Sequence, residues 1–357
     1  MECNFGFSTG ICAAAASKAS AIFLNSNGEK IPEIISVKNL DGDEFILNVF
    51  KENDFFGAIK NSGGDLTDIT NGLKILAKVE YFHEKNFKEN KIFFEAGEGV
   101  GIVTLPGLKI PPDEPAINPV PRKIIANAVR EIIPEKTIKI TISIPDGEKI
   151  AAKTFNPRLG IKGGLSILGT TGFVKPMNEK ALLDSLSLEL NMIKALGFQK
   201  IYITFGNTGE KFLRKIFDVS GRNVIQTGNY IGYVLDEISR LKFTHAIICA
   251  HAGKLLKVAA GSFNTNNKIA DGRFEALCTH LALAGASRDF IEKIFFSNTI
   301  DEAAEIIKIS DFKHIWDNIA KIISRKCKER IFAENLKVSA YFLDNNGEIS
   351  GGFDDHE

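Results

Sequence analysis

Three consecutive segments in the second half of the 357-residue chain share one pattern, which constrains the fold more than any other feature. Each has a short apolar run, then glycine beside a polar residue, then apolar residues at helical spacing; they are residues 200–217, 223–238 and 245–261. Strands that alternate with helices form a parallel sheet with helices packed on its faces. Because ligands of such sheets bind beyond the carboxyl ends of the strands, the loops at 205–210, 227–230 and 250–254 are predicted to line one rim.

The first part of the chain has shorter elements without this strict alternation. Segments rich in β-branched and aromatic residues predict strands; they are residues 33–39, 44–50, 74–82 and 91–96. A helix is predicted to begin at Ser8-Thr9-Gly10, because Ser and Thr satisfy free N–H groups at a helix start. Helical spacing predicts a second helix over 122–133, and residues 137–155 are predicted to form a β-hairpin with a turn at Asp146-Gly147.

These patterns predict an α+β N-terminal domain followed by an α/β domain with a Rossmann-like parallel sheet. The α+β domain is predicted to cover residues 1–175 and to carry the glycine-rich loops, and the α/β domain to cover residues 176–298. Residues 299–357 are predicted to add helices and a hairpin with an Asn-Gly turn, which complete the fold.

Charge and cysteine content exclude several classes of function. The chain has 44 basic and 44 acidic residues, and this balance argues against a nucleic-acid partner and favours a small anion. No apolar run reaches the roughly 20 residues needed to cross a bilayer, so no membrane partner is predicted. The five cysteines are scattered without a ligand spacing, which is typical of reduced thiols in a cytoplasmic protein and predicts no metal site.

Two basic runs lack acidic residues. The first, residues 151–177, contains a Gly-Thr-Thr-Gly turn, and its candidate anion-binding residues are Arg158, Gly169, Thr170, Thr171 and Lys175. The second, residues 251–268, places Lys254 and Lys257 three apart on a predicted helix. A structural turn and a solvated helix face are the alternative interpretations. Two such runs beside glycine-rich loops favour a shared anion site.

Two further residues are candidates for acid–base chemistry. His251 lies at a predicted strand end beside Gly253, a place from which catalytic side chains often project, although a structural role is the commoner one for a single histidine. Asp271 precedes the next predicted helix and fits equally a helix cap. No arrangement of Ser, His and Asp supports a hydrolase.

Two other loops have alternative interpretations. Glycines at 97, 99 and 101 after a strand imitate the nucleotide-contacting loop of many adenosylmethionine-dependent methyltransferases. The prolines that follow forbid an immediate helix, so this loop is interpreted as a glycine-rich β-turn. The polar loop at 61–72 fits a helix cap or a cation site, and the cap is the commoner of the two.

Six motifs, in order from about Gly6 to about Gly285, resemble the cobalt-precorrin-5B C1-methyltransferase (CbiD) family of anaerobic cobalamin biosynthesis. They are GFSTGICAAAASKA, GEGVGIVTLPGL, EPAINPVPR, NPRLGIKGGLSILGTTGFVKPM, HAGKLLKVAAG and FNTNNKIADGR. The resemblance implies methyl transfer from S-adenosylmethionine to carbon 1 of cobalt-precorrin-5B, which gives cobalt-precorrin-6A. It also implies that cobalt is carried by the substrate only, without a protein ligand.

The resemblance gives the anion site a partner, because the substrate is a polycarboxylate cobalt tetrapyrrole that Arg and Lys can bind. The donor is assigned to the rim of the α/β domain; the residues are Gly206, Asn207, Thr208, Gly209 and Glu210. This chain departs from the family pattern at Asn266, where histidine is expected, so His251 remains the histidine candidate.

Two other functions stay open at this point. A corrinoid carrier would ligate cobalt through an exposed histidine, for which His251 is the candidate. A nucleotide-dependent reductase would use the same glycine-rich rim, although no clean G-x-G-x-x-G follows a strand. Whether the protein forms homo-oligomers or transient contacts with neighbouring pathway enzymes is also left open by the sequence.

Overall fold

The computed structural model describes residues 6–64, 68–82, 90–169, 171–174, 179–332 and 335–355. The chain divides into two compact units, Met1–Leu182 and Leu183–Glu357. Both units combine helices with sheets, and each main sheet contains parallel and antiparallel strand pairs. Residues 299–355 belong to the second unit, whose sheet includes the two C-terminal strands.

The elements of the first unit follow one another without regular alternation. In the described chain they are β1 (Gly6–Phe7), α1 (Thr9–Asn25), β2 (Ile34–Lys38), β3 (Glu44–Glu52), β4 (Phe55–Ile59), β5 (Lys74–Tyr81), β6 (Ile92–Ala96), β7 (Ile102–Val103), α2 (Pro119–Arg130), β8 (Ile138–Ser143), α3 (Gly147–Ala151), β9 (Ile161–Lys162) and β10 (Phe173–Val174). The four predicted strands are confirmed, whereas β4 was not predicted.

The main sheet of the first unit has the order β2-β3-β4-β5-β8-β6 over the described residues. Its neighbours pair antiparallel except β6 and β8, which run parallel. Side chains alternate along β3. Phe45, Leu47 and Val49 are buried, whereas the side chains of residues 44, 46 and 48, on the other face, are exposed. The buried face therefore forms the core with α1 and α2.

Helix α1 is the central element of this core. It begins after Ser8, whose Oγ accepts a hydrogen bond from the Ile11 amide at 3.3 Å, which confirms the predicted cap. Its run of small residues, Ala13 to Ala16, is fully buried, so the helix backbone approaches the sheet and α2 closely. Helix α2 begins at Pro119, three residues before the predicted start.

The predicted hairpin over 137–155 is wrong. Strand β8 ends at Ser143, and Asp146, at φ +62°, leads into the short helix α3 instead of a second strand. The reason is a long-range contact: a Cβ on Gly147 would lie 2.3 Å from the carbonyl oxygen of Gly99. This close backbone approach directs the chain after Asp146 toward the glycine-rich loop at 97–101, away from β8.

In the second unit, strands and helices alternate as predicted. Its described elements are α4 (Glu179–Ala195, which begins in the first unit), β11 (Lys200–Thr204), α5 (Asn207–Ile216), β12 (Val224–Gln226), α6 (Ile231–Arg240), β13 (His245–His251), α7 (Ala252–Ala259), α8 (Arg273–Leu283), α9 (Arg288–Phe295), α10 (Ile300–Lys308), α11 (Ile315–Ile331), β14 (Lys337–Leu343) and β15 (Ile349–Phe353). The three predicted strand–helix pairs and the C-terminal hairpin are confirmed, although α7 follows β13 without a loop.

The sheet of the second unit has the order β12-β11-β13-β14-β15 in the described chain. The first four strands are parallel, and β15 pairs antiparallel with β14. Adjacent residues of β14 face opposite sides: Tyr341 contacts Phe217, which follows α5, and Phe342 contacts Trp316 of α11. Helices therefore cover both faces of the sheet.

Candidate functional site

The carboxyl ends of β11, β12 and β13 lie at one edge of the sheet. The parallel register pairs Thr204 with Gln226, and Ile203 with Ile248. Strands β11 and β12 are each followed by a short loop and then by a helix, as predicted. The loop predicted at 250–254 is wrong, because β13 ends at His251 and α7 begins at Ala252. This edge is the place where ligands of parallel sheets bind.

The turn between β11 and α5 leaves room for a ligand at its glycine. Gly206 has an extended backbone, with φ and ψ both at −176°. Apart from its two chain neighbours, no atom of the described residues lies within 4 Å of the position of an added Cβ. By contrast, a Cβ on Gly209 would lie 2.2 Å from Thr204 Oγ1. That hydroxyl is fully buried and has no hydrogen-bond partner among the described residues. The junction of β11 and α5 thus has open space at Gly206 and an unsatisfied hydroxyl at Thr204.

Glu210, in the same turn, is engaged by its neighbours. Its Oε1 accepts a hydrogen bond from Arg214 Nε at 2.8 Å, and its Oε2 accepts one from Gln226 Nε2 at 2.6 Å. Gln226 Nε2 also donates to Asn207 Oδ1 at 2.8 Å. These bonds join α5 to the end of β12. Asn207 and Thr208 are exposed on the first turn.

His251 is the last residue of β13 and the N-cap residue of α7, where its side chain makes no capping hydrogen bond. It lines a cavity of about 280 Å³ at the same edge of the sheet. The cavity wall includes the buried Trp316 and Phe342, together with charged residues of α10 such as Asp301 and Glu305. The predicted strand-end position of His251 is confirmed, and its catalytic role stays a prediction.

Lys254 and Lys257 do not form a solvated helix face, so that interpretation is wrong. Lys257 is 1% exposed, and its Nζ donates to the Thr265 carbonyl (3.4 Å), Asn267 Oδ1 (2.5 Å) and the Ala270 carbonyl (3.0 Å). The half-buried Lys254 donates to Asn229 Oδ1 at 2.8 Å, and to the carbonyl (3.3 Å) and Oγ1 (3.4 Å) of Thr265. Lys257 therefore binds the segment 265–270, and Lys254 binds Thr265 and the loop after β12.

Asp271 forms a bidentate ion pair with Arg273. The distances are 2.7 Å from Nε to Oδ1 and 2.8 Å from Nη2 to Oδ2. The hydrogen bond from Arg273 outweighs burial and lowers the pKa of Asp271, so this carboxyl is ionised at neutral pH. The N-cap residue of α8 is Gly272, and Asp271 caps only indirectly, by accepting from the Arg273 amide at 3.3 Å.

In the first unit, the turn around Gly169 packs on the N-terminus of α1. The Leu168 carbonyl accepts from the Gly10 amide at 2.9 Å, and Thr9 Oγ1 accepts from the Leu168 amide at 2.8 Å. The Thr171 carbonyl accepts from Asn39 Nδ2 at 2.8 Å. These bonds give the turn a structural role. Substrate contact by Gly169 and Thr171 stays a prediction.

The other candidates of the first unit are placed as follows. Arg158 is half-buried in the loop between α3 and β9. Thr170 and Lys175 lie outside the described residues. The glycine-rich loop has a packing role, because a Cβ on Gly99 would lie 2.0 Å from the Ile144 carbonyl and one on Gly101 would lie 2.8 Å from the Gly164 carbonyl. No helix follows this loop before α2, so the β-turn interpretation fits the structure.

Neither alternative for the polar loop at 61–72 fits its described part. Asp68 accepts hydrogen bonds from Lys60, Ser62 and Thr70, and the chain continues into β5. Elsewhere in the described chain, no three His, Cys, Asp or Glu side chains come together where they could hold a metal ion. The helices of the described chain are all too short or too polar to span a bilayer.

Two residues close to the candidates Lys254 and Asp271 were not predicted from the sequence. Lys257 was named only as a member of the second basic run, and Arg273 was not named as a candidate. The missing acidic residues around Lys257 were the available signal. Its burial depends on the fold of residues 262–270 over α7, which no local pattern reveals.

Known proteins resemble this chain over most of its length. The family model described as CbiD matches residues 1–176, and the model described as the CbiD C-terminal domain matches residues 264–352. The chain belongs to the CbiD family. A protein from Thermoanaerobacter sp. (strain X514), named cobalt-precorrin-5B C(1)-methyltransferase, is 43% identical over 351 residues, which cover 95% of this chain and 92% of that protein.

Two further members of the CbiD family illustrate its range. A protein of the same name from Methanocaldococcus jannaschii is 36% identical over 358 residues, which cover 98% of this chain and 96% of that protein. A cobalamin biosynthesis protein (cbiD) from Archaeoglobus fulgidus, known from a 1.9 Å crystal structure, is 30% identical in sequence to this chain. The match covers 74% of this chain and 82% of that one, with a TM-score of 0.40.

Proposed function

We propose that this chain transfers a methyl group to carbon 1 of cobalt-precorrin-5B. The observation that carries the proposal is its similarity, over 92% of the chain or more, to several proteins named for this activity. The proposed methyl donor is S-adenosylmethionine, and the product expected from the resemblance is cobalt-precorrin-6A. Cobalt arrives with the substrate, and the cytoplasm is the proposed place of reaction.

The reaction requires mainly positioning. The methyl carbon leaves the sulfonium sulfur, which keeps the electron pair, and forms a bond with the ring carbon. Because the donor is already activated, the protein contributes by holding the two reacting atoms in line, and such positioning supplies up to about 7–11 kcal/mol. His251 is the proposed group for any proton movement at this edge. Asp271 is the second residue proposed for acid–base chemistry, and its ion pair with Arg273 favours the ionised carboxylate.

We place the donor at the turn between β11 and α5, with Gly206, Asn207, Thr208 and Gly209. The proposal is supported by the strand order of the second unit, which in order of appearance is 2-1-3-4-5, as in doubly wound, Rossmann-like sheets. The strand order reverses between β11 and β13, where such folds bind nucleotides.

Local contacts at this turn also fit a donor. The open space at Gly206 would admit backbone contact with the adenosyl part, and the unpartnered Thr204 hydroxyl would gain a polar neighbour. Glu210 already binds Arg214 and Gln226, so its proposed contact with the ribose would share an oxygen that is in use. The cavity beside His251 is the competing donor site at the same edge.

Each unit is proposed to bind carboxylate groups of the substrate through the basic run that it contains. Arg158, Lys175 and Lys254 are the proposed cations, and Gly169, Thr170 and Thr171 are the proposed turn residues. Ion pairs and charge-assisted hydrogen bonds fix a polycarboxylate ring more firmly than neutral contacts do. The support is the absence of acidic residues from both runs, 151–177 and 251–268.

The decisive experiment is anaerobic incubation of the full chain with cobalt-precorrin-5B and methyl-labelled S-adenosylmethionine. We expect one labelled methyl group in the product mass and an equal amount of S-adenosylhomocysteine. Incubation without the donor is the control. Folded protein that transfers no label to intact substrate would overturn the proposal. A change in the cobalt absorption without methyl transfer would indicate a carrier instead.

A further inference from the structure

Three cations and one carboxylate lie together where α7, the segment 262–270 and the start of α8 meet. The cations are Lys254, Lys257 and Arg273, and the carboxylate is Asp271. The ammonium groups of Lys254 and Lys257 both donate to the Thr265 carbonyl, at 3.3 Å and 3.4 Å. Burial and the charges of Lys257 and Arg273 lower the pKa of Lys254. The field of Lys257 also contributes to the lowered pKa of Asp271. The group therefore carries a net positive charge within a short range.

Lys257 is the unusual member of this group. Its ammonium is buried, and the acceptors around it are two backbone carbonyls and the Asn267 amide oxygen, which are all neutral. No carboxylate of the described chain lies within 4 Å of Nζ of Lys254 or Lys257. Burial of a charge without a counterion is costly, and a nearby anion would offset this cost.

Arg273 directs one free end of its guanidinium toward the first turn of α7. Asp271 engages Nε and Nη2, whereas Nη1 lies 4.0 Å from the position of a Cβ on Gly253. Apart from its chain neighbours and the backbone of α7, no other atom of the described residues lies within 4 Å of that position, so the described chain leaves the space in front of Gly253 open. Helix α7 spans eight residues, and its positive N-terminal end adds to the field of the cations.

We propose that the space in front of Gly253 is a carboxylate-binding site, with Lys254 and Arg273 in contact with the anion and Lys257 as the buried charge behind them. The inference rests on the proposed function, which supplies two sources of a carboxylate: an arm of the tetrapyrrole and the amino-acid part of the methyl donor. Lys257 is a positioning residue, because it holds the segment 265–270 against α7.

Direct binding measurements on the full chain test this site without the reaction. The two probes are uroporphyrin, a stable polycarboxylate tetrapyrrole, and S-adenosylhomocysteine, which keeps the amino-acid carboxylate of the donor. The variants Lys254→Gln and Arg273→Gln remove one cation each. Lys268→Gln is the matched control, since Lys268 is an exposed cation of the same acid-free run.

If the site takes an arm of the tetrapyrrole, Lys254→Gln and Arg273→Gln weaken uroporphyrin binding tenfold or more and leave S-adenosylhomocysteine binding within twofold. If the site takes the donor carboxylate, the same two variants weaken S-adenosylhomocysteine binding tenfold or more and leave uroporphyrin binding within twofold. In that case 5′-methylthioadenosine, which lacks the carboxylate, binds wild type and variants equally. Lys268→Gln changes neither affinity by more than twofold.

Three results overturn the proposal: both variants bind both probes like wild type, wild type binds neither probe, or the weakening disappears in moderate salt, which indicates distant attraction. Arg273→Lys keeps the charge and covers the case in which Arg273→Gln unfolds. It is expected to bind better than Arg273→Gln and worse than wild type. If the variants weaken probe binding as expected but wild type transfers no methyl group, the proposed function is overturned and this site is not.

Discussion

The ammonium nitrogen of Lys257 lies 2.5 Å from Oδ1 of Asn267, ten residues further along the chain. The same nitrogen donates to the backbone carbonyl of Ala270 at 3.0 Å. One buried side chain of α7 thus fixes both the middle and the end of the segment that leads to α8. The position of Arg273, at the start of α8, depends on this fixed segment.

The bond to Asn267 predicts a measurable loss of stability on truncation. Asn267→Ala removes an acceptor from a buried charge, and hydrogen bonds to charged groups contribute about 1.5–3 kcal/mol. Because Asn267 itself is exposed, we expect the free energy of unfolding to fall by about 1.5 kcal/mol, the lower end of this range. Urea unfolding measures this change.

Asn266→Ala is the matched control for this measurement. Among the described residues its Oδ1 accepts from one donor, the neutral amide of Lys268, at 3.0 Å, so its loss should cost about 0.5–1 kcal/mol. Equal losses in the two variants would contradict the special role of Lys257.

The comparison of sequence and structure separates local from long-range information. Apolar runs followed by helical spacing predicted the units at β11, β12 and β13, because a short strand and an amphipathic helix carry their own periodicity. The turn at Asp146-Gly147 misled the prediction, since the approach of Gly147 to Gly99 selects a helix there. The residues around Gly147 do not indicate that contact, because Gly99 is distant in the sequence.

The candidate site shows the same division. The strand-end position of His251 followed from the pattern of β13, and the structure bears it out. The burial of Lys257 could not be predicted, because two lysines three apart on a helix look the same in a solvated face and in a folded-over loop. The sequence also could not tell that Glu210 would bind Gln226, because that contact depends on the pairing of β11 with β12. The contact of Glu210 with Arg214 is local, since the two residues are four apart on α5.

Two substitutions distinguish the competing donor sites. Gly206→Val fills open space at the start of α5 and should weaken S-adenosylhomocysteine binding tenfold or more, with little change in melting temperature, because its extended backbone suits any residue. Ala304→Phe fills part of the cavity beside His251. It should leave that affinity within twofold. The reverse result, measured by calorimetry, would move the donor to the cavity.

The buried hydroxyl of Thr204 is a proposed contact of the methyl donor. Thr204→Val keeps the shape and removes the buried Oγ1 that lacks a hydrogen-bond partner in the described chain. We expect the free energy of unfolding to stay equal or rise by about 1 kcal/mol. If the donor uses this hydroxyl, the dissociation constant of S-adenosylhomocysteine should rise about fivefold or more.

Gly209→Ala is the companion to the Thr204 variant. Its Cβ would lie 2.2 Å from Thr204 Oγ1, so the folded state should lose stability. Loss of stability in Thr204→Val would indicate that the hydroxyl has a partner in the folded protein without donor.

The described cysteines should resist alkylation in the folded protein. Burial raises the pKa of Cys12, Cys249 and Cys327 to about 12 each, and it also raises the pKa of Cys278. Since the thiolate is the reactive form, iodoacetamide at about pH 8 should label these four thiols only after unfolding. Mass spectrometry of digested protein identifies each site. Rapid labelling of Cys249 in the native state would contradict the packing of β13.

The buried pair of Lys60 and Asp68 predicts a pH dependence of stability. Burial alone would raise the pKa of Asp68, but hydrogen bonds from Lys60, Ser62 and Thr70 outweigh it and hold the pKa well below its usual range. An unfolded Asp titrates near about 3.9. The stabilisation is therefore complete above about pH 5 and is lost as the pH falls through about 4 toward the folded pKa.

The variant Asp68→Asn tests this dependence, because the amide keeps the shape and cannot titrate. At neutral pH it leaves Lys60, whose side chain is 5% exposed, without its counterion, and we expect a loss of about 3 kcal/mol. Between about pH 5 and about pH 3, wild type should lose stability more steeply than the variant, so the two curves converge. Asp146→Asn is the control, because the pair of Asp146 with Lys149 is exposed and its removal should leave the curve unchanged. Parallel curves for wild type and Asp68→Asn would show that Asp68 has an ordinary pKa in the folded protein.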